Sequence, residues 1–401
     1  MSLVKRVNEL KDVFIEYRRQ IHQNPELGFE EHKTTALVEK VLDELGIEHR
    51  KNGDKTGVIA TLKGGLPGEK VIALRADMDA LKLQEGTGLE FASKVPGVSH
   101  ACGHDMHTAV LLGAATMLAE YKEHLRGTVK FFFQPAEEMV NGAETMIQNG
   151  AMENPAVDYA LACHTWPDMP AGSIGIRKGA MMASADKITI TVRGKAVHAA
   201  HPHKGIDPVV VGAYIITQLQ TIVSRRVAPL DPAVVSIGRL AAGTTSNIIP
   251  DECVMEGTVR TLNPEVRREV AEHIKNIAAH TALGMGATAE VEYEEGVPPT
   301  ICDSYVVDVI SEAAGELLGP DKVLEVPVPS MGGEDFSRYL EHAPGALFRI
   351  GTADDRPASR GALHNPKTVF SEDAIPAGII TFVGTVFKLT GSDMGKLKGS
   401  C

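Results

Sequence analysis

The ten residues Ser99–Thr108, "SHACGHDMHT", hold three histidines, one cysteine and one aspartate. Side chains of these types hold divalent metals, pair as thiol nucleophile and base, or carry protons. Which chemistry applies depends on where the other ligand-type residues fall. They recur just after short apolar runs. "VIAL" is followed by Arg75, Asp77 and Asp79, "TVKFFF" by Gln134, Glu137 and Glu138, and "YALA" by Cys163, His164 and Thr165. "GALFRIG" leads on to "GALHNP", which contains His364. The sequence has no G-x-S-x-G, H-E-x-x-H, Walker or G-x-G-x-x-G signature.

The apolar runs are the elements that must position these residues. Residues 3–23 read as one amphipathic helix. "NPELGFEEHKTTALVEKVLDELG" turns at Asn24-Pro25 into a second helix ending at Gly46. "KVIALRADMD", "TVKFFFQPAEE" (stopped by Pro135) and "VDYALACHT" read as strands, separated by helical "HTAVLLGAATMLAEYKEHL" and "GAETMIQNGAM". Alternating strands and helices predict an α/β domain with a largely parallel sheet, and ligands of such sheets bind beyond the carboxyl ends of the strands. Cys102, His104, Glu137, Glu138, His164 and His364 are therefore expected at one sheet edge.

From Ala185 the pattern changes to polar–apolar alternation. Four such strands and two helices in the order β-α-β-β-α-β predict an inserted α+β module over 185–296, within a domain made of 1–184 and 297–401. After 296, helices near 303–318 and 373–390 flank the strand "GALFRIGT". The polar tail "SDMGKLKGSC" is expected to fray.

Bulk properties set limits. A chain of 401 residues, 43% hydrophobic and 23% charged, is an ordinary globular composition with room for two domains. A net charge of −12 without a basic run argues against nucleic-acid binding. The amino terminus has no apolar signal-peptide core, and "AVLLGAATMLA" is too short to span a bilayer. Five irregularly spaced cysteines make no disulfide framework, so a cytoplasmic protein is expected.

The converging residues suit a divalent metal pair, which can activate a water and polarise a carbonyl. Adjacent Glu137 and Glu138 can divide the work, one holding metal and the other taking a proton. Plainer readings stay open on the residues alone. Cys102 can be a buried small residue, like Cys163, Cys253 and Cys302. Glu137-Glu138 can be a solvated helix start, and His164 and His364 can be structural. His100 and His107 flank the cluster. Arg75, Asp77 and Asp79 can orient histidine rings or pair only with one another. Two other classes compete: a binding module in which Cys102, His104, His164 and His364 close around one structural zinc, and a thiol hydrolase using Cys102.

"RADMDAL", "SHACGHDMHTAVLLGAA", "FFFQPAEEMVNGAETMI", "CHTWPDMPAG", "VRGKAVHAAHPHKGIDPV", "TTSNIIPDECVMEGTVRT", "GGEDFSRY" and "LHNP" together resemble the amidohydrolase branch of the carboxypeptidase G–aminoacylase metallopeptidase superfamily. That branch includes hippurate hydrolases, N-acyl-amino-acid amidohydrolases and auxin-conjugate hydrolases. The resemblance runs from "YRRQIHQNPELGFEE" to "AIPAGIITFVGTVF", nearly the whole chain. It implies a two-metal exopeptidase-like domain holding manganese or zinc, or else cobalt or nickel. Cys102 matches the bridging ligand, His104 and His164 ligands of one ion, Glu138 and His364 ligands of the second, and Glu137 the general base. The inserted module matches a lid and dimerisation domain, so a homodimer or larger homo-oligomer is expected. There His198 matches a residue that polarises the scissile carbonyl in a partner's site. Asn247 and Arg260 match residues holding the substrate carboxylate, with Gly333 of "SMGGEDF" nearby. On residues alone, His201 and His203 can be loop histidines and Arg260 an ordinary salt-bridge partner. The implied activity is hydrolysis of N-acetyl or N-benzoyl amino acids. A dipeptidase or an acetyl-diaminopimelate-type deacetylase with the same metals is the alternative.

Overall fold

The computed structural model describes residues 1–399. The chain begins with helices α1 (Leu3–Glu9), α2 (Lys11–Gln23) and α3 (His32–Leu45) and strands β1 (Glu48–Lys51), β2 (Val58–Lys63) and β3 (Leu66–Asp77). Helix α4 (His104–Glu120), strand β4 (Arg126–Gln134), helix α5 (Gly142–Gln148) and strands β5 (Tyr159–Pro170) and β6 (Ile174–Ile176) follow. Next come β7 (Gly179–Met182), β8 (Ala185–Arg193), β9 (Val197–His198), α6 (Pro208–Thr221), β10 (Ala233–Ala242), β11 (Ile248–Ile249), β12 (Glu252–Thr261), α7 (Pro264–Gly284) and β13 (Thr288–Val297). The chain ends with β14 (Thr300–Cys302), α8 (Ser304–Leu318), β15 (Val323–Glu325), β16 (Gly345–Ala353), α9 (Ile375–Leu389) and α10 (Gly395–Lys398). Two compact units result. One is Met1–Gly179 with Ile301–Val328 and the chain from Asp335; the other is Ala180–Thr300 with Pro329–Glu334.

The first unit is built on an eight-stranded sheet of order β1-β2-β4-β3-β5-β16-β6-β15. The four central strands β4, β3, β5 and β16 are mutually parallel, while β1, β2 and β6 add antiparallel pairings. Every residue of β16 and the whole Phe131–Phe133 run are buried, as expected for central parallel strands covered on both faces. Helix α4 is apolar nearly all round and buried, packed against α2 and α9. Gly113 permits its close approach to α9, since a Cβ there would lie 2.3 Å from Ile379 Cδ1.

The second unit carries a four-stranded antiparallel sheet of order β10-β12-β8-β13. Alternate residues Ile188, Ile190 and Val192 of β8 face a core completed by Val211, Ile215 and Leu219 of α6 and Val270 and Ile274 of α7. Asp207 and Asn263 cap α6 and α7, each followed by proline at the first helical position. Buried Asp186 accepts two hydrogen bonds from Arg267, one from the Tyr293 hydroxyl and one from the Gly296 N–H.

Several local expectations change. The first helix is two, broken at Leu10, whose N–H closes α1 on Arg6 O; both helices pack against α4 and α9, and α1 also meets α10. The second helix starts at His32 rather than after Pro25. Residues 24–31 are extended or turned, with Leu27 bridging Ala80 and Phe29 at φ +64°, and the Glu26 carboxylate accepts the N–H groups of Lys33 and Thr34 that open α3. The second unit begins at Ala180 rather than 185 and ends at Thr300 rather than 296. It also takes Pro329–Glu334, tied in by Ala183 N–H to Gly332 O and Ser330 N–H to Met181 O. Gly333 therefore belongs to the second unit. The carboxyl-terminal segment does not simply fray: α10 buries Leu397, while Ser400 and Cys401 lie outside the described residues.

Because α4 is wedged against α9 at a glycine, Gly113→Val is expected to destabilise the protein by about 1–3 kcal/mol through overpacking. Urea unfolding of both proteins measures this, as a lower midpoint with unchanged slope.

Candidate metal centre

The parallel register brings the carboxyl ends of the central strands together. Asp77 of β3 lies opposite Gln134 of β4, and His164 of β5 opposite Arg349 of β16. Beyond β4 the chain turns through Pro135 and Ala136, the latter at φ +53°, and delivers Glu137 and Glu138. Gly103, at φ +91°, opens α4 and places Cys102 and His104 on its two sides. A Cβ at Gly103 would lie 2.5 Å from Thr165 Oγ1, so both its dihedral and its surroundings call for glycine. His364 arrives on the loop after β16, at φ +59°, with its N–H on Ala101 O.

All six predicted residues of the first unit meet. Cys102 Sγ lies 3.6 Å from His164 Nε2 and 3.3 Å from His364 Nε2. His364 Nε2 is 3.3 Å from Glu138 Oε1, and His104 Nε2 lies 3.8 Å from Glu138 Oε1 and 3.9 Å from Glu137 Oε2. Donor atoms therefore group as Cys102/His104/His164 and as Cys102/Glu138/His364, two triads that share the thiol. Glu137 joins His104 and Glu138 in a third group. His104 Nε2 and Glu138 Oε1 are buried and have no hydrogen-bond partner, although both point into this cluster.

The surrounding groups fix which ring nitrogens point inward. His104 Nδ1 donates to Asp79 Oδ1 at 3.2 Å, and His164 Nδ1 donates to Thr165 O at 2.8 Å, so that Nε2 of each ring faces the cluster. Asp79 also accepts the N–H groups of Glu137 and Glu138, each at 3.0 Å. His107 is engaged at both nitrogens, by Asp77 Oδ1 at 2.6 Å and by the Thr165 N–H at 2.8 Å. It therefore flanks the centre rather than entering it. Arg75 joins Asp77 to Asp335 with two contacts of 2.7 Å, and Gln134 donates to the same Asp335. Asp105 pairs with Arg18 and His22, away from the cluster.

Burial, helped by the Glu138 charge, pushes the Cys102 thiol well above its ordinary pKa. Burial, helped by the neighbouring His107 and His104 and opposed by Asp77, drives His164 well below its ordinary value. His104 moves the other way: burial opposes its charge, but Asp77 and Cys102 raise it. A thiol, two inward-facing imidazole nitrogens and crowded carboxylates in a buried space need a compensating cation, and divalent ions supply one while holding the thiolate form. The donor set and the two orphaned inward-facing atoms fit such ions.

The remaining predicted residues lie in the second unit and form two pairs. His198 of β9 faces β11, and the Ala199 N–H bonds Asn247 O. His198 Nδ1 accepts the Ala200 N–H at 3.1 Å. Arg260 of β12 donates Nε–H to the Thr258 hydroxyl at 3.2 Å, and a Cβ at Gly333 would lie 3.1 Å from its Nη1. His201 and His203 stand in the exposed loop after His198. Sequence reading gave no role to Glu31 or Asp335. Their only signal is that "PELGFEE" and "GGEDF" hold acidic residues beside glycines.

The profile of peptidase family M20/M25/M40 matches residues 73–388. The chain belongs to this family. Within M20 it is a hydrolase of the amidohydrolase branch. It is 41% identical over 369 residues to the N-acetyl-L-cysteine deacetylase of Bacillus subtilis, covering 92% of this chain and 86% of that one. It is 44% identical over 296 residues to the N-acyl-L-amino acid amidohydrolase of Geobacillus stearothermophilus, covering 74% and 79%. The crystal structure of the Bacillus subtilis YXEP protein, described as a dinuclear metal-binding peptidase of the M20 family, superposes with a TM-score of 0.85 at 38% identity, covering 96% and 99%. No helix among the described residues is long and apolar enough to cross a membrane.

Asp79→Asn keeps one acceptor oxygen and loses the other. It is expected to weaken divalent-metal binding about 10–100-fold, as removal of an orienting carboxylate does. Calorimetric titration of the metal-stripped proteins with manganese or zinc measures this, and equal affinities would contradict the orienting role.

Proposed function

We propose that this M20 hydrolase cleaves the amide bond of N-acyl amino acids of the N-acetyl or N-benzoyl type, releasing a carboxylate and a free amino acid. The observation that carries the reading is the pair of donor triads sharing Cys102, with Glu137 beside them. Cys102 would bridge two divalent ions, with His104 and His164 on one and Glu138 and His364 on the other. Manganese and zinc suit these ligands best, and cobalt or nickel also fit. When bound, the ions supply a water of lowered pKa and polarise the acyl carbonyl.

The chain's own groups then move the proton. Glu137 takes it from the attacking water as the water oxygen bonds to the acyl carbon. It returns the proton to the amide nitrogen as the carbon–nitrogen bond breaks. Held at its N–H by Asp79, Glu137 differs from its neighbour in lying outside both triads that contain Cys102. His198 suits oxyanion stabilisation. With Nδ1 accepting the Ala200 N–H, its proton sits on Nε2 and can be donated to a carbonyl oxygen. Arg260 supplies a guanidinium fork for the substrate carboxylate, with Asn247 as a second donor and Gly333 leaving the space beside Arg260 clear. The inserted module would act as lid and dimerisation domain, lending His198 to a partner protomer in a cytoplasmic homodimer or larger homo-oligomer.

Glu137→Gln is expected to lower kcat by roughly 10²–10⁴-fold at unchanged metal content. Turnover of N-acetyl and N-benzoyl amino acids, alongside dipeptides and acetyl-diaminopimelate, tests both mechanism and substrate class. Near-normal turnover by the metal-loaded variant would sink the mechanism. Arg260→Ala is expected to raise KM for substrates with a free α-carboxylate and to leave the corresponding carboxamides unchanged.

A further inference from the structure

Three consecutive N–H groups, those of Ala136, Glu137 and Glu138, are each held by a buried carboxylate from elsewhere in the first unit. Asp79 takes the second and third. The first goes to Glu31 Oε1 at 2.8 Å. Glu31 is fully buried, and its other oxygen accepts the Thr56 hydroxyl at 2.5 Å. The residue it grips, Ala136, is fully buried and left-handed at φ +53°, a conformation that is strained for an alanine and persists only where its surroundings impose it. The segment carrying Glu31 is laid against this turn. A Cβ at Gly28 would lie 3.0 Å from Ala136 Cβ, and the Ala80 N–H beside Asp79 bonds Glu26 O. Glu31 and Asp79 thus hold the turn together, one gripping its strained first residue and the other the two glutamates.

We propose that Glu31 is a positioning residue for the proton-carrying carboxylate. By fixing the Ala136 peptide it sets the direction in which Glu137 leaves the turn. The proposal rests on the reading of Glu137 given above. Glutamine at 31 keeps an oxygen for the Ala136 N–H and an amide group for the Thr56 hydroxyl, whereas alanine keeps neither.

The test uses metal-loaded wild type, Glu31→Ala, Glu31→Gln and Thr56→Val. It measures metal content, kcat and KM on an N-acyl amino acid, and amide hydrogen exchange of the peptide spanning 135–139. Glu31→Ala is expected to lose about 10–100-fold in kcat, as a displaced catalytic group does, with KM and metal content held and with faster exchange at 136–138. Glu31→Gln should restore most of the rate and the protection. If Glu31→Ala does not fold, Thr56→Val is expected to show a smaller loss of kcat and faster exchange in the same peptide. Wild-type rate and exchange in Glu31→Ala, or in Thr56→Val where that variant stands in, would overturn the proposal, as would equal losses in the alanine and glutamine variants. Should Glu137→Gln retain turnover, the base assignment fails. The exchange of 136–138 in Glu31→Ala would still report whether Glu31 holds the turn.

Discussion

The carboxylate of Asp79 is the contact on which the centre depends. It is fully buried, and it orients His104 through Nδ1 while holding the N–H groups of Glu137 and Glu138. One side chain two residues past β3 thus ties the start of α4 to the turn after β4. A buried charge is tolerated where hydrogen bonds satisfy its oxygens, and here these bonds also fix which ring nitrogen and which glutamate face the donor cluster. Neighbouring glutamates would otherwise be interchangeable. Held this way, Glu138 joins the triad with Cys102 and His364, and Glu137 stays beside it.

A second chain of contacts supports the same edge from behind. Asp335, Arg75, Asp77 and His107 are linked in series to the Thr165 N–H, and the carbonyl of Thr165 receives His164 Nδ1. Every side chain in the series is buried. The tautomer of His164 is therefore set by the carbonyl of a residue whose own N–H is held by His107. Preorganisation of this kind lets ligand atoms keep their geometry while bound ions and substrate exchange.

Much of this was legible in the sequence because it rests on local patterns. The apolar runs before Arg75, Gln134, Cys163 and the "GALHNP" loop gave the sheet and its edge. Proline 135 marked the end of β4, and polar–apolar alternation after Ala185 marked the antiparallel module. The meeting of Cys102, His104, Glu137, Glu138, His164 and His364 follows from that topology. What local pattern could not reveal are long-range contacts. Asn24-Pro25 resembles a helix-start signal, yet residues 24–31 lie extended or turned because Leu27 bridges Ala80 and Glu31 reaches Ala136. The short strands β1, β6 and β15 have three or four residues each, too few for a period to show. Pro329–Glu334 follows the second unit through backbone bonds to Met181 and Ala183, which no spacing in the sequence encodes.

The central claim is that Cys102 is shared by two ions. Anomalous diffraction from crystals grown with manganese tests it directly. Two peaks about 3.5–4 Å apart, flanking the Cys102 sulfur, with His104 and His164 on one and Glu138 and His364 on the other, are the predicted result. A single peak closed tetrahedrally by Cys102, His104, His164 and His364 would contradict the account and leave a structural site in its place.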